Sequence, residues 1–188
     1  MADLTDKTDD IAIWNEGRTK AVTVSTDGSK ERLDVSTKDD LDVAISAGKA
    51  YSHIDIHTLG NNVTFYHLMI VPNTATRIHF SFNIASTGPV TVRFYEAPTT
   101  SADGTASPGL NRERNSANAS AMTMFHAPTV SADGTLLQEF SLGATGGAKA
   151  GATESKDWVL KQNTKYLMKY ISGQASNEIS EELFWTEE

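Results

Sequence analysis

The 188-residue chain has no cysteine at all. Disulfide frameworks, thiolate metal sites and cysteine nucleophiles are therefore excluded, which fits a protein made in a reducing compartment or one stabilised by assembly. Long apolar runs are also missing. The most hydrophobic stretch, Leu68 to Val71, is far too short to span a bilayer. The opening residues "MADLTDKTDD" are polar and acidic, unlike a secretory signal. The expectation is a soluble chain, not exported by the usual route and without a membrane partner. An excess of basic residues is lacking too. The net charge is −8, with −4 in residues 1–50, −5 in residues 178–188 and +1 between them. A near-neutral body with acidic ends argues against nucleic acid, whose binding needs clustered Lys and Arg. No segment carries a helical period beyond about two turns. Nor is there a G-x-S-x-G elbow, a glycine-rich phosphate loop or an H-E-x-x-H helix.

What the chain does have is short alternating runs and many turn residues. Residues 19–37 ("TKAVTVSTDGSKERLDVST") read as a β-hairpin around Asp27-Gly28, with Val22 and Val24 on one arm and Leu33 and Val35 on the other. Residues 37–48 are either a short capped helical turn or a linker. From residue 49 strands are expected near 50–57, 63–71, 75–84, 89–96, 121–126, 135–141, 164–172 and 178–185. Ile78, Phe80, Phe82 and Ile84 share one face, as do Val90, Val92 and Phe94. About eight such strands with frequent turns indicate an all-β, antiparallel β-sandwich of jelly-roll type. The expected organisation is an N-terminal arm, residues 1–48, and a sandwich domain, residues 49–188. Residues 101–120 and 142–156 are small, polar and free of aromatics, so long exposed loops are expected there.

One sequence feature repeats. Residues 97–105 and 127–135 share the frame A-P-T-x-S-A-D-G-T. Proline ends a strand and Asp-Gly makes a turn, so the repeat reads as two similar strand-exit loops at one tip of the sandwich. Two copies are too few for a solenoid or propeller.

Candidate chemistry is sparse. In "HIDIH" (53–57), His53, Asp55 and His57 fall on one face of a strand, and Ile54 and Ile56 on the other. The expected arrangement places the isoleucines inward and the polar trio on the outer face. The alternative is a metal site completed by His67 or His79 from an adjoining strand. No metal or other cofactor is otherwise expected. Glu96, Glu113, Glu139 and Glu154 are scattered and define no catalytic pair. "NRERN" (111–115) offers Arg112 and Arg114 for forked contacts with carboxylates. Trp14 suits an anchor in a partner's groove, whereas Trp158 and Trp185 suit the core.

Several segments together resemble a family of tailed-bacteriophage virion proteins. The resemblance rests on the hairpin "AVTVSTDGSKERLDV" and on Tyr95, Glu96, Pro98 and Thr99. It continues through the loop Asn111 to Asn115, the repeat Pro128 to Thr135, and the strand Leu160 to Leu167 with its closing Glu-rich, Trp-containing segment. It spans most of residues 19–187 and implies a virion location, after synthesis in the host cytoplasm. It implies a non-enzymatic structural subunit, foremost a capsid decoration or cement protein. A neck, collar or tail accessory protein is the alternative, and a carbohydrate-binding host-attachment module a third. The implied partners are the major capsid protein or other virion proteins, in a homo-oligomer with a trimer favoured. The arm and loops would make the contacts, through Trp14, Arg18, Arg32, Arg112 and Arg114. The family offers no catalytic residues to carry over.

Overall fold

The computed structural model describes residues 22–26, 31–35, 40–143 and 150–188, with the backbone alone for 22–26, 31–35 and 150–157. The chain forms two compact units, Met1–Val43 and Ala44–Glu188. In the first, strands β1 (Val22–Thr26) and β2 (Glu31–Val35) pair antiparallel, with Val24 opposite Leu33, as the alternation of valines and polar residues requires. The turn at Asp27-Gly28 lies outside the described residues. Helix α1 (Asp40–Ser46) resolves the choice left open for residues 37–48. Asp40 and Asp42 sit in its first turn, where the helix dipole favours acids. It ends at Gly48, whose φ of 65° lets its N–H bond the Ile45 carbonyl while Lys49 N–H bonds that of Ala44.

The second unit is a two-sheet sandwich. One sheet contains β3 (Ala50–Leu59), β5 (Ile78–Ser86), β9 (Leu110–Asn111), β13 (Ala150–Leu160) and β15 (Asn177–Glu187), in the order β13-β5-β15-β3-β9. The other contains β4 (Thr64–Val71), β6 (Val90–Glu96), β8 (Thr105–Ala106), β10 (Thr123–His126), β12 (Thr135–Leu142) and β14 (Thr164–Ser172), in the order β12-β6-β14-β4-β10-β8. Eight of these strands switch sheets in the jelly-roll pattern: β3, β15, β5 and β13 face β4, β14, β6 and β12. The expected all-β sandwich is the observed fold. Its core is built from the apolar phases of the strands, including Phe80, Phe82, Ile84, Val92, Phe94 and Trp185.

Two expectations about the loops are corrected. Residues 150–160 form edge strand β13, paired with β5 across a bulge between Glu154 and Trp158, instead of continuing a loop. The segment's small residues lack a large-apolar alternation, so the strand was hidden. The second correction concerns the repeat. Its two copies form β7 (Thr99–Ala102) and β11 (Thr129–Ala132), which pair antiparallel with each other. They cover the outer face of the six-stranded sheet, where Val130 packs against a second small core of Leu68, Tyr95 and Leu167. The copies clasp one another symmetrically. A Cβ on Gly104 would meet the backbone of His126 to Pro128, and one on Gly134 would meet that of Glu96 and Ala97. Each turn aspartate grips β14: Asp103 accepts from Lys165 Nζ at 2.5 Å and Asp133 from Lys169 Nζ at 2.5 Å.

The segment 101–120 is exposed along most of its length, as expected, and hydrogen bonds tie it to the body. Asn111 Nδ2 donates to the carbonyls of Gly48 (2.9 Å) and Asn118 (3.0 Å). The buried Glu187 carboxylate accepts from Ser120 Oγ and from the backbone N–H of Ala121 and Met122.

Candidate functional site

The face assignment of "HIDIH" is inverted. Ile54 and Ile56 are 63% and 58% exposed, and His53, Asp55 and His57 point between the sheets. Their phase is set by the ends of β3. Tyr51 and Leu59, two and six residues from His53, are both buried on the inner face, and Tyr51 stacks on Trp185 with ring centroids 5.8 Å apart. Side chains alternate with period two, so fixing those anchors sends everything at odd positions inward.

Two further residues complete the cluster. β15 lies beside β3 with Glu181 directly opposite Asp55, and Glu181 is fully buried. From the facing sheet β4 contributes His67, also fully buried. His67 Nδ1 makes a close contact with Glu181 Oε1. His53 Nε2 lies 3.8 Å and His57 Nε2 3.9 Å from the same oxygen, and His57 Nε2 is 3.3 Å from Asp55 Oδ2. His67 meets His53 and His57 edge-on, with ring centroids 5.3 and 5.4 Å apart. Phe65 packs against His57, and the fully buried Tyr170 places its hydroxyl beside Glu181. One polar atom per residue from His53, Asp55, His67 and Glu181 falls within 4.8 Å of every other.

The electrostatics sort the protonation states. Burial pushes the Glu181 carboxyl up, but hydrogen bonding and charge from His57 and His67, with Tyr170, outweigh it and hold the group at about 2. Glu181 is an anion at neutral pH. Burial, then the neighbouring His67, lower the His53 pKa against the opposing pull of Glu181 and Asp55, which favours a neutral ring with a free lone pair. Desolvation, reinforced by the Glu181 charge, raises the Tyr170 hydroxyl well above its ordinary value and keeps it neutral. An anionic carboxylate among imidazoles can bind a cation or share a proton.

His67 is one of the two histidines expected to complete a metal site, and it is in the cluster, whereas Glu181 was missed; a signal for both is present. Glu181 is in phase with the buried Ile179, Leu183 and Trp185, and His67 with Met69 and Val71. An ionisable residue on the apolar phase of a strand must find a buried partner, and these two find each other. His79, the other histidine considered for the site, lies apart, 3.4 Å from Glu188. Glu96 and Glu139 are engaged by Lys161 and Arg93 on the other sheet.

The expected contact residues are dispersed. Trp14 and Arg18 lie outside the described residues, and Arg32 falls on β2, of which only the backbone is described. Arg112 and Arg114 are exposed. The Arg112 guanidinium sits 5.3 Å above the Phe184 ring, and Arg114 Nη1 donates to the Asn111 carbonyl at 3.2 Å. Trp185 is in the core and Trp158 packs against it. Beside this loop runs a groove of about 230 Å³ whose aromatic lining, Tyr51 and Phe125, comes from strands β3 and β10. On the outer face next to Arg112, Leu110 on β9 is 61% exposed and pairs with Ser52, in the phase of Ile54 and Ile56 on β3, whose opposite residues on β15 are Glu182 and Ser180. No known family model, curated protein or solved structure matches the chain.

Proposed function

We propose that the chain is a non-enzymatic structural subunit of a tailed-bacteriophage virion, a capsid decoration or cement protein that docks on a major capsid or other virion protein through its N-terminal arm and surface segments. The observation that carries this reading is the exposed set Leu110, Ile54 and Ile56, flanked by Arg112 on Phe184. Three large aliphatic side chains, each more than half exposed, share the outer face of one sheet, where polar residues are the rule for a free surface. An apolar centre with an arginine at its margin is the composition of a protein-binding patch. The jelly-roll body supplies a rigid support for that patch, and the hairpin β1–β2 belongs to a separate unit available as an arm.

The test is co-sedimentation of the full chain with undecorated particles, followed by imaging of its position. Binding should be lost on deletion of residues 1–37 and weakened at least tenfold by I54E/I56E. Both variants should stay soluble, because the changes fall outside the described core. Undiminished decoration by both variants would refute this reading. Binding to a glycan array in place of particles would favour a host-attachment module.

A further inference from the structure

Seven of the eight buried side-chain polar atoms without a well-aligned hydrogen-bond partner, among the described residues, lie in the cluster around Glu181. They are His53 Nε2, His57 Nε2, both His67 nitrogens, Tyr170 Oη and both Glu181 oxygens. His67 Nδ1 and Glu181 Oε1 meet each other, but neither makes an aligned hydrogen bond, and a concentration of such atoms in one place marks an ion or water that completes them. Elsewhere among the described residues only His79 Nε2 lacks such a partner, and the carboxylate of Glu187 is fully used.

We propose that His53, Asp55, His67 and Glu181 bind a divalent first-row transition-metal ion between the two sheets, with His57 positioning Asp55. The donor set selects the class. Two imidazoles disfavour calcium and magnesium, which take oxygen ligands. Two carboxylates neutralise a dication in an interior where net charge is costly. Zinc, manganese and iron(II) all accept such mixed nitrogen and oxygen donors. The distances are close to those required. Donors of a tetrahedral ion with bonds of about 2.1 Å lie about 3.4 Å apart, against 4.8 Å at most here, so side-chain shifts of about 1 Å close the site. His57 Nε2, 3.3 Å from Asp55 Oδ2, supplies the outer contact that orients a ligating carboxylate. The Asp55 side chain is 32% exposed, and β9 pairs with β3 only at Tyr51 and Ser52, which leaves an entry route along the β3 edge.

The full chain, purified without a histidine tag or metal resin and stripped with chelator, is titrated with Zn2+, Mn2+, Co2+, anaerobic Fe2+ and Ca2+. One equivalent of a transition ion should be retained per chain by elemental analysis, with a rise in Tm. Co2+ should give visible d–d absorption, and Ca2+ should do nothing. E181Q and H67Q should retain no ion. Those positions are fully buried and the variants could fail to fold, so D55N and H57Q are the companion test. D55N should weaken binding at least tenfold, and H57Q about 10–100-fold, with circular dichroism unchanged. Absence of retained metal and of any Tm shift with all four transition ions would overturn the proposal, leaving an imidazole–carboxylate network held by protons. One-equivalent binding that D55N and H57Q leave intact, or that Ca2+ reproduces, would overturn the assigned ligands.

Discussion

A single carboxylate near the C-terminus does more for the long loop than any apolar residue in it. Glu187 Oε1 accepts from Ser120 Oγ (2.6 Å), the N–H of Ala121 (2.9 Å) and Met122 (3.2 Å), and Trp185 Nε1 (3.3 Å). Removing it strands several buried donors, and hydrogen bonds to a charged group are the stronger kind. E187A should therefore destabilise the protein by about 2–3 kcal/mol. E187Q, which keeps one acceptor oxygen, should cost clearly less. Urea denaturation of both variants measures this, and a loss below about 0.5 kcal/mol for E187A would mean that water replaces the carboxylate without penalty. Nothing at the sequence level marks Glu187 apart from its acidic neighbours, because its partners are sixty-five or more residues away, save Trp185. The HIDIH segment was half legible for a related reason. Alternation reveals that a strand has two faces, and hydrophobicity normally says which is inside. Here Ile54 and Ile56 lie on the exposed face while imidazoles occupy the interior, so the usual rule points the wrong way. Only the phase of Tyr51, Leu59 and Glu181 gives the right answer.

At the scale of elements, the repeated A-P-T-x-S-A-D-G-T frame encodes a reciprocal clasp. Gly104 and Gly134 have φ of 94° and 91°, and a Cβ on either would come within 2.2 Å of His126 O or 2.3 Å of Glu96 O. Backbone cannot yield as a flexible side chain can. G104A or G134A should thus each cost about 1–3 kcal/mol, read as a lowered denaturation midpoint, and near-equal losses are expected from the symmetry of the contacts. The two Asp–Lys pairs make a smaller contribution because they are partly exposed, about 0.5 kcal/mol each and weakened by salt. Its pH dependence has a definite sign. Lys165, and less strongly Thr100, donates to Asp103 and, against partial burial, lowers its pKa below the ordinary 3.8. That stabilisation is full above 3.8 and disappears as pH falls through the lower folded value. Burial lowers the Lys169 pKa, but the Asp133 hydrogen bond and nearby charge raise it above the ordinary 10.5. Its share is full below 10.5 and is lost as pH rises through the folded value. D103N should accordingly differ from the parent at neutral pH and converge with it in strong acid, and a constant gap across pH would exclude the charge contribution. The turn chemistry of Asp-Gly was readable in each copy. That the two copies pair with one another depends on tertiary topology, which no local pattern contains.

For the molecule as a whole, the jelly roll was legible because its inner strands obey period two without interruption: Ile78, Phe80, Phe82 and Ile84, then Val90, Val92 and Phe94, are all buried. The edge strand Ala150–Leu160 escaped because an edge needs backbone pairing more than apolar side chains, and its first half is small residues. The same distribution has a thermodynamic consequence. Among the described residues both apolar clusters lie between Tyr51 and Trp185, so the sandwich holds a core of its own. Deletion of residues 1–37 should leave a body that unfolds in one cooperative transition, with calorimetric and van't Hoff enthalpies in agreement. Its Tm should shift by less than about 4 °C, the change that 1 kcal/mol produces in a domain of this size. If the deletion lowers Tm by much more, residues 1–37 are part of the folding unit, and loss of particle binding in that variant would report unfolding. If Tm holds, the same loss isolates the arm as a docking element whose work is separate from the stability of the sandwich.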